Sequence, residues 1–182
     1  MISALAHWAD RQLIGPGASA VERAVGYATA VAGCTLTTAV VATASMPSIA
    51  VVVVAVVAFD LFGGAAVNAT STAKRHFHRP GRTARHHLGF VAAHIQPFLL
   101  ALAVPGFGWA AAATIYGLAL AGAVVVTAVN AESRRPVAFA VTVLAITAVA
   151  ALVTVPPELA WFAPVLLIKL LLAHLLPEDA PR

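Results

Sequence analysis

Six long apolar runs constrain this chain more than any other feature of its sequence. They cover residues 24–45, 48–69, 87–104, 109–130, 137–155 and 159–176. A helix needs about 20 apolar residues to cross a bilayer, and each run is close to that length. The runs are continuously apolar, whereas the strands of a membrane barrel alternate apolar and polar residues. The sequence therefore predicts an all-α polytopic membrane protein with six transmembrane helices.

The composition agrees with this prediction and excludes other classes. Hydrophobic residues make up 61% of the 182 residues and charged residues only 10%, against ~45–50% and ~25% in soluble domains. Charge is too scarce to cover a water-exposed surface, so we expect a single membrane domain over 1–182 and no nucleic-acid partner. The single cysteine, Cys34, excludes an internal disulfide and, within one chain, a thiolate zinc site or an iron–sulfur cluster.

The positive charges predict how the helices are oriented. Three connections, at Met46-Pro47, Pro105-Gly106 and Pro156-Pro157, contain no Lys or Arg. Ten of the eleven Lys and Arg residues lie in segments that would share the opposite side. Because basic loops stay in the cytoplasm, we predict three hairpins in the cell membrane with both termini cytoplasmic.

Two polar segments lie outside the spans. Residues 2–14 carry apolar residues at helical spacing and end at Gly15-Pro16-Gly17, which is typical of an interfacial helix within 1–20 or, alternatively, of a frayed terminus. Between 70–86 lies a strongly basic cytoplasmic loop. Such a loop fixes topology and attracts anionic headgroups, so its Arg79 is a candidate contact for a phosphate-bearing substrate.

Ionisable residues inside the apolar runs are the functional candidates. Asp60 and His94 stand near the middle of the second and third runs, and Lys169 slightly past the middle of the sixth. A charge at this depth is costly unless it faces protein or water, so such residues usually mark a site. Three further polar residues lie near the cytoplasmic ends of these runs: His87, His174 and Asn68. The outer half has almost nothing comparable, which predicts a site open to the cytoplasm or inner leaflet.

Residue spacing suggests which side chains share a helix face. His87 and His94 are seven residues apart, two helical turns, so they share a face. Gln96 is about 200° from His94 on a continuous helix and is expected on a different face. Gly63 and Gly64 leave space beside Asp60, which a neighbouring helix or a substrate can approach.

These patterns give two sets of candidate site residues. The catalytic candidates are Asp60, His94, His87 and Asn68. The substrate-binding candidates are Gly63, Gly64, Lys169, His174 and Arg79. Two alternatives apply to Lys169: it forms a buried ion pair with Asp60 that only fixes helix packing, or its long stem snorkels to the interface.

Three chemical schemes fit these residues. Asp60, His87 and His94 could hold zinc or another divalent metal with an open water position; haem ligation by paired histidines is disfavoured because matched depths on facing helices are not evident. Asp60 and His94 could instead act without metal as an acid/base pair, as proton-initiated isomerisation or cyclisation of a prenyl chain would require. The same residues could also relay protons or bind an ion in a transporter.

We therefore expect a small membrane-embedded enzyme that acts on a lipid or prenyl-type substrate, with Asp60 and His94 facing one another across the second and third spans. Its expected partners are membrane lipids and a hydrophobic small molecule. A homo-oligomer remains open. The alternative functions are a proton- or ion-coupled transporter or channel, and a non-catalytic membrane subunit.

Overall fold

The chain is all-helical, with helices joined by turns and without strands, over the residues that its computed structural model describes, 17–178. The α-helices are α1 Ala20–Thr43, α2 Ser48–Asn68, α3 Ser71–Phe77, α4 Ala84–Ala92, α5 Gln96–Ala103, α6 Trp109–Ala128, α7 Ala131–Leu152 and α8 Phe162–Leu167. A 3-10 turn, Pro157–Leu159, precedes α8, and a π-helix, Ile168–His174, continues it. The predicted interfacial helix at 2–14 lies outside the described residues.

Six helical stretches are long and apolar enough to cross a membrane, which confirms the predicted six-helix, multi-pass architecture. They are Ala20–Thr43, Ser48–Asn68, Ala84–Ala103, Trp109–Ala128, Ala131–Leu152 and Pro157–His174. The third combines α4 and α5 around a short break, and the sixth combines the 3-10 turn, α8 and the π-helix. The number of candidate spans is therefore as predicted, but two of the six are irregular.

Side-chain caps explain where helices begin outside the apolar runs. α7 begins at Ala131, six residues before the predicted start at 137, because the Asn130 side chain accepts a 2.9 Å hydrogen bond from the Ser133 amide. α3 lies inside the predicted basic loop 70–86, and the Thr70 hydroxyl caps it by accepting from the Ala73 amide at 3.2 Å. Hydropathy alone could not place either start.

Small residues bring α1 and α2 into close contact. A side chain at Gly26 would collide with Val67, and one at Gly63 would collide with Ala30. Glycine and alanine at such an interface let two helices approach without side chains between them. α2 is thereby fixed on its α1 side, and its other faces are available to the rest of the bundle.

Hydrogen bonds connect three segments at one end of the bundle, which we call the loop end. The Glu22 carboxylate near the start of α1 accepts from the Thr72 amide at 3.1 Å and hydroxyl at 3.0 Å. The Lys74 ammonium donates at 3.1 Å to the carbonyl of Ala173 in the sixth span. The first, second and sixth spans thus have their polar ends together, as the positive-inside argument requires. Which side of the membrane this end faces remains a prediction.

Candidate mid-membrane polar site

An ion pair joins the second and sixth spans. Lys169 Nζ donates to Asp60 Oδ2 at 2.7 Å and to the Asp60 carbonyl oxygen at 3.2 Å. The Lys169 side chain is only 3% exposed, whereas that of Asp60 is 46% exposed. Lys169 therefore forms the ion pair with Asp60, and its side chain does not extend to the membrane interface. The carboxylate has one protein-facing side and one open side.

The third span supplies a second partner of Asp60. Gln96 Nε2 donates to Asp60 Oδ2 at 3.0 Å. The face counted for Gln96 relative to His94 assumed a continuous helix, whereas α4 ends at Ala92 and α5 begins at Gln96. The break changes the direction of the following turn, and Pro97 lies in the first turn of α5, where a missing amide proton costs little.

His94 lies in this break and is 8% exposed. Its Nδ1 donates a 2.7 Å hydrogen bond to the Phe90 carbonyl, so in the neutral imidazole the lone pair is on Nε2. His94 interacts electrostatically with both Lys169 and Asp60. The structure thus brings the predicted residues Asp60, His94 and Lys169 together, although no hydrogen bond joins Asp60 to His94 within the described chain.

The sixth span is adapted to bring Lys169 to this position. Lys169 lies in the π-helix, a wide turn that is uncommon and is often found at functional sites. Its ammonium passes over Gly64: a Cβ on that residue would lie 2.7 Å from Nζ. Of the two glycines predicted to contact substrate, Gly64 makes room for Lys169 and Gly63 packs on Ala30.

A second polar group, which we call the histidine cluster, lies nearer the loop end and consists of His78, His87 and His174. His87 Nδ1 and His174 Nε2 are 3.2 Å apart, and His78 Nε2 donates to the His174 carbonyl at 2.9 Å. Burial lowers the pKa of His78, and the nearby cations Lys74 and Arg134 lower it further, while the bond to the His174 carbonyl opposes the shift. The cluster therefore favours neutral imidazole at His78.

The Phe90 ring separates the two groups. It stacks on His174 with ring centres 3.8 Å apart and lies 4.6 Å from the His94 ring. His87 consequently belongs to the histidine cluster rather than to the Asp60 site. Across residues 17–178 no group of three or more His, Cys, Asp or Glu side chains is arranged to hold a metal ion. The proposed metal set Asp60, His87 and His94 gains no support.

The remaining candidates lie apart from Asp60. Asn68, at the end of α2, is buried and its Nδ2 has no hydrogen-bond partner among the described residues. Arg79 is exposed at the loop end and donates to the His76 carbonyl. Neither residue touches the Asp60 carboxylate, whose hydrogen-bonding side chains are Lys169 and Gln96.

Exposed apolar residues lie close in sequence to Asp60 and to its partner Gln96, and we call their surface the Asp60 face. It consists of the exposed residues Val56 and Phe59 in α2, and Ile95 and Leu99 beside Gln96. On a membrane span such residues face hydrocarbon. The carboxylate is therefore accessible from the lipid side of the bundle rather than sealed within it.

Known proteins offer no guide to this arrangement. No family model, curated protein or solved structure matches the chain. The chemistry of the site must therefore be derived from its own residues.

Proposed function

We propose that this protein is a small membrane-embedded enzyme that performs acid/base chemistry on a lipid or prenyl-type substrate. One observation carries the proposal: two polar side chains, Lys169 and Gln96, hold the Asp60 carboxylate from within, and its other side is open on an apolar face. Ionisable groups in a span that are held in this way usually serve chemistry or transport.

The residues supply the groups that a proton transfer needs. Lys169 and Gln96 bind the same oxygen, Oδ2, and so fix the orientation of the carboxylate. His94 contributes a lone pair at Nε2 nearby. The base that takes a proton from one position of the substrate, whether Asp60 or His94, can return the same proton to a second position. An isomerisation by this route needs no other reactant, and the water-poor surroundings protect a reactive intermediate.

Transport is the second candidate, and a specific feature supports it. Broken helices with polar groups at mid-depth are typical of secondary transporters, and the third span is broken at His94. However, the half of the bundle farthest from the loop end is packed with apolar side chains, including Phe107 and Phe162 in edge-to-face contact at 5.9 Å. A polar path to that side would have to cross this core, so we favour the enzyme. A non-catalytic subunit, whose Asp60 face would be covered by a partner, is the third candidate.

We place the loop end in the cytoplasm of the cell membrane, on the basis of the Lys and Arg distribution. With this orientation, the substrate reaches Asp60 laterally from the bilayer. Membrane lipids are then both the solvent of the protein and the source of its substrate.

The test compares variants that preserve shape. Asp60→Asn keeps the size of the side chain but cannot ionise, and Glu132→Gln makes the same change at an exposed carboxylate in the first turn of α7. Purified variants in vesicles are incubated with a neutral lipid extract and the products are analysed by mass spectrometry. We expect wild type and Glu132→Gln to convert a lipid, and folded Asp60→Asn not to do so.

Two results would contradict the enzyme. Equal conversion by wild type and Asp60→Asn would remove Asp60 from the chemistry. Unchanged lipids, together with a proton flux across sealed vesicles that is lost in Asp60→Asn, would assign the same residue to transport.

A further inference from the structure

We propose that the Asp60 face binds a neutral lipid that carries a hydroxyl group, and that this hydroxyl donates a hydrogen bond to Asp60 Oδ1. The inference rests on the proposed function for the idea that the ligand is a substrate. It goes further in naming the chemical class of that substrate: a lipid-soluble alcohol, rather than a phospholipid or a prenyl diphosphate.

The hydrogen bonds of Asp60 carry the argument. Both side-chain donors, Lys169 and Gln96, bind Oδ2, and Oδ1 accepts no hydrogen bond from residues 17–178. The side chain is 46% exposed, so Oδ1 is the part of the site that a ligand can reach. An ionised carboxylate oxygen accepts hydrogen bonds and cannot donate them. A carboxylate oxygen that faces hydrocarbon without a hydrogen-bond donor is energetically costly. The ligand must therefore supply that donor.

The charges at the site further restrict the chemical class of the ligand. Lys169 already provides the positive charge that balances Asp60, so a cationic headgroup would leave a net charge at mid-membrane depth. A phosphate would bring negative charge against the open carboxylate. A neutral donor remains, and a hydroxyl is the neutral group that supplies a proton to Oδ1 while bringing the least polar surface into the hydrocarbon.

Depth excludes ordinary phospholipids. Asp60 is eight residues before Asn68, the end of α2, which corresponds to roughly 12 Å along the helix. A phospholipid would have to sink its headgroup by that distance into hydrocarbon. A long-chain alcohol has one small polar group and can occupy this depth, with its chain against Val56, Phe59, Ile95 and Leu99.

The experiment compares three forms of one probe: geranylgeraniol, its methyl ether and its diphosphate. Binding to the purified protein in detergent is followed by the rise in melting temperature with probe concentration. We expect the alcohol to bind about tenfold more tightly than the ether, which is the loss typical of one good hydrogen bond. The diphosphate should bind more weakly than the alcohol.

A pair of double variants supplies the control. Asp60→Leu with Lys169→Met removes both charges of the pair, so neither is left unpaired, and it should abolish the preference for alcohol over ether. Arg75→Leu with Glu178→Leu removes the ion pair at the loop end and should leave the preference unchanged. If the first double variant does not fold, the three probes on wild type still decide the question.

Several results would overturn the inference. Equal affinity for alcohol and ether would show that no donor is used, and tighter binding of the diphosphate would reverse the charge argument. Cross-linking that shows a second copy covering the Asp60 face, with no displacement by alcohol, would assign the face to a dimer.

The two proposals fail differently. An alcohol that binds selectively but is never converted would refute the enzyme and leave the binding site. Conversion of a lipid without a hydroxyl, with no selective alcohol binding, would refute the alcohol-binding site and leave the enzyme.

Discussion

Gly64 and Lys169 are spatially complementary: the lysine ammonium lies 2.7 Å from the point where residue 64 would carry a Cβ. Lys169 has to cross this point to reach Asp60 Oδ2. The absence of one methyl group on α2 thus permits the ion pair between the second and sixth spans. Its two residues are 109 positions apart in sequence.

Gly64→Ala should therefore displace Lys169 from Asp60. We expect a loss of ~1–3 kcal/mol in unfolding free energy, as for other overpacked sites, measured by thermal unfolding in detergent. The matched control is Gly117→Ala in α6, where nothing lies within 4 Å of the added methyl group. That change should be neutral or slightly stabilising, because alanine favours helix. Equal effects of the two substitutions would contradict this account of Gly64.

Removing either member of the Asp60–Lys169 pair should have unequal effects on stability. Asp60→Asn leaves a buried ammonium without its counter-charge, which should cost ~3–5 kcal/mol if the pair is mainly structural. Lys169→Met leaves a carboxylate that still accepts a hydrogen bond from Gln96, so its effect should be smaller. Replacing both by apolar residues should restore stability in the structural case. A folded, inactive Asp60→Asn together with a tolerated Lys169→Met would instead support the enzyme, and thermal unfolding with the lipid assay separates the two outcomes.

The histidine cluster should make stability depend on pH. Because the pKa of His78 is lowered in the folded protein, the unfolded chain binds its proton at higher pH than the folded chain. This contribution to stability is present above about pH 6.5 and is lost as the pH falls through the lowered folded pKa. His78→Gln should reduce the slope of melting temperature against pH below 6.5. Phe77→Leu, which disturbs the same packing against His174, should lower stability while keeping the slope.

Glu22 should hold the start of α1 against α3. Its carboxylate accepts a 2.8 Å hydrogen bond from the backbone amide of Ser19, the N-cap residue of α1, and two more from the amide and hydroxyl of Thr72. We expect Glu22→Ala to cost ~1–2 kcal/mol, the range for a lost cap with partly exposed hydrogen bonds. Limited proteolysis near residue 70 should accelerate. Glu132→Ala, in the first turn of α7, is the control for removing an acidic residue and should not change cleavage there.

The orientation of the protein in the membrane can be tested by cysteine labelling, because the sequence contains a single native cysteine, Cys34. In a Cys34→Ala background, Arg79→Cys reports on the loop end and Ser45→Cys on the turn between α1 and α2. A membrane-impermeant thiol reagent added to intact cells should label position 45 and spare position 79. Labelling of position 79 alone would invert the predicted topology.

The sequence by itself determined the six candidate spans. Hydropathy is a sum over local residues, and 18 or more apolar residues can satisfy their backbone in a bilayer only as a helix. Asp60, His94 and Lys169 could likewise be assigned similar depths, because rise along a helix is proportional to residue number.

Only the tertiary structure decided which polar side chains meet. The runs are apolar on all sides, so their sequences do not distinguish the face toward lipid from the face toward other helices. Gln96 reaches Asp60 because the third span breaks before it, and the Gln-Pro pair in an apolar run was the signal available in the sequence.

Tertiary packing also decides that His87 lies with His174 and not with His94, because the Phe90 ring packs between His174 and His94. Contacts between helices depend on their rotation, crossing and local breaks, which arise from packing across the bundle. A periodicity counted along one helix cannot contain that information, and so the six spans were predictable from sequence while the partners of their polar groups were not.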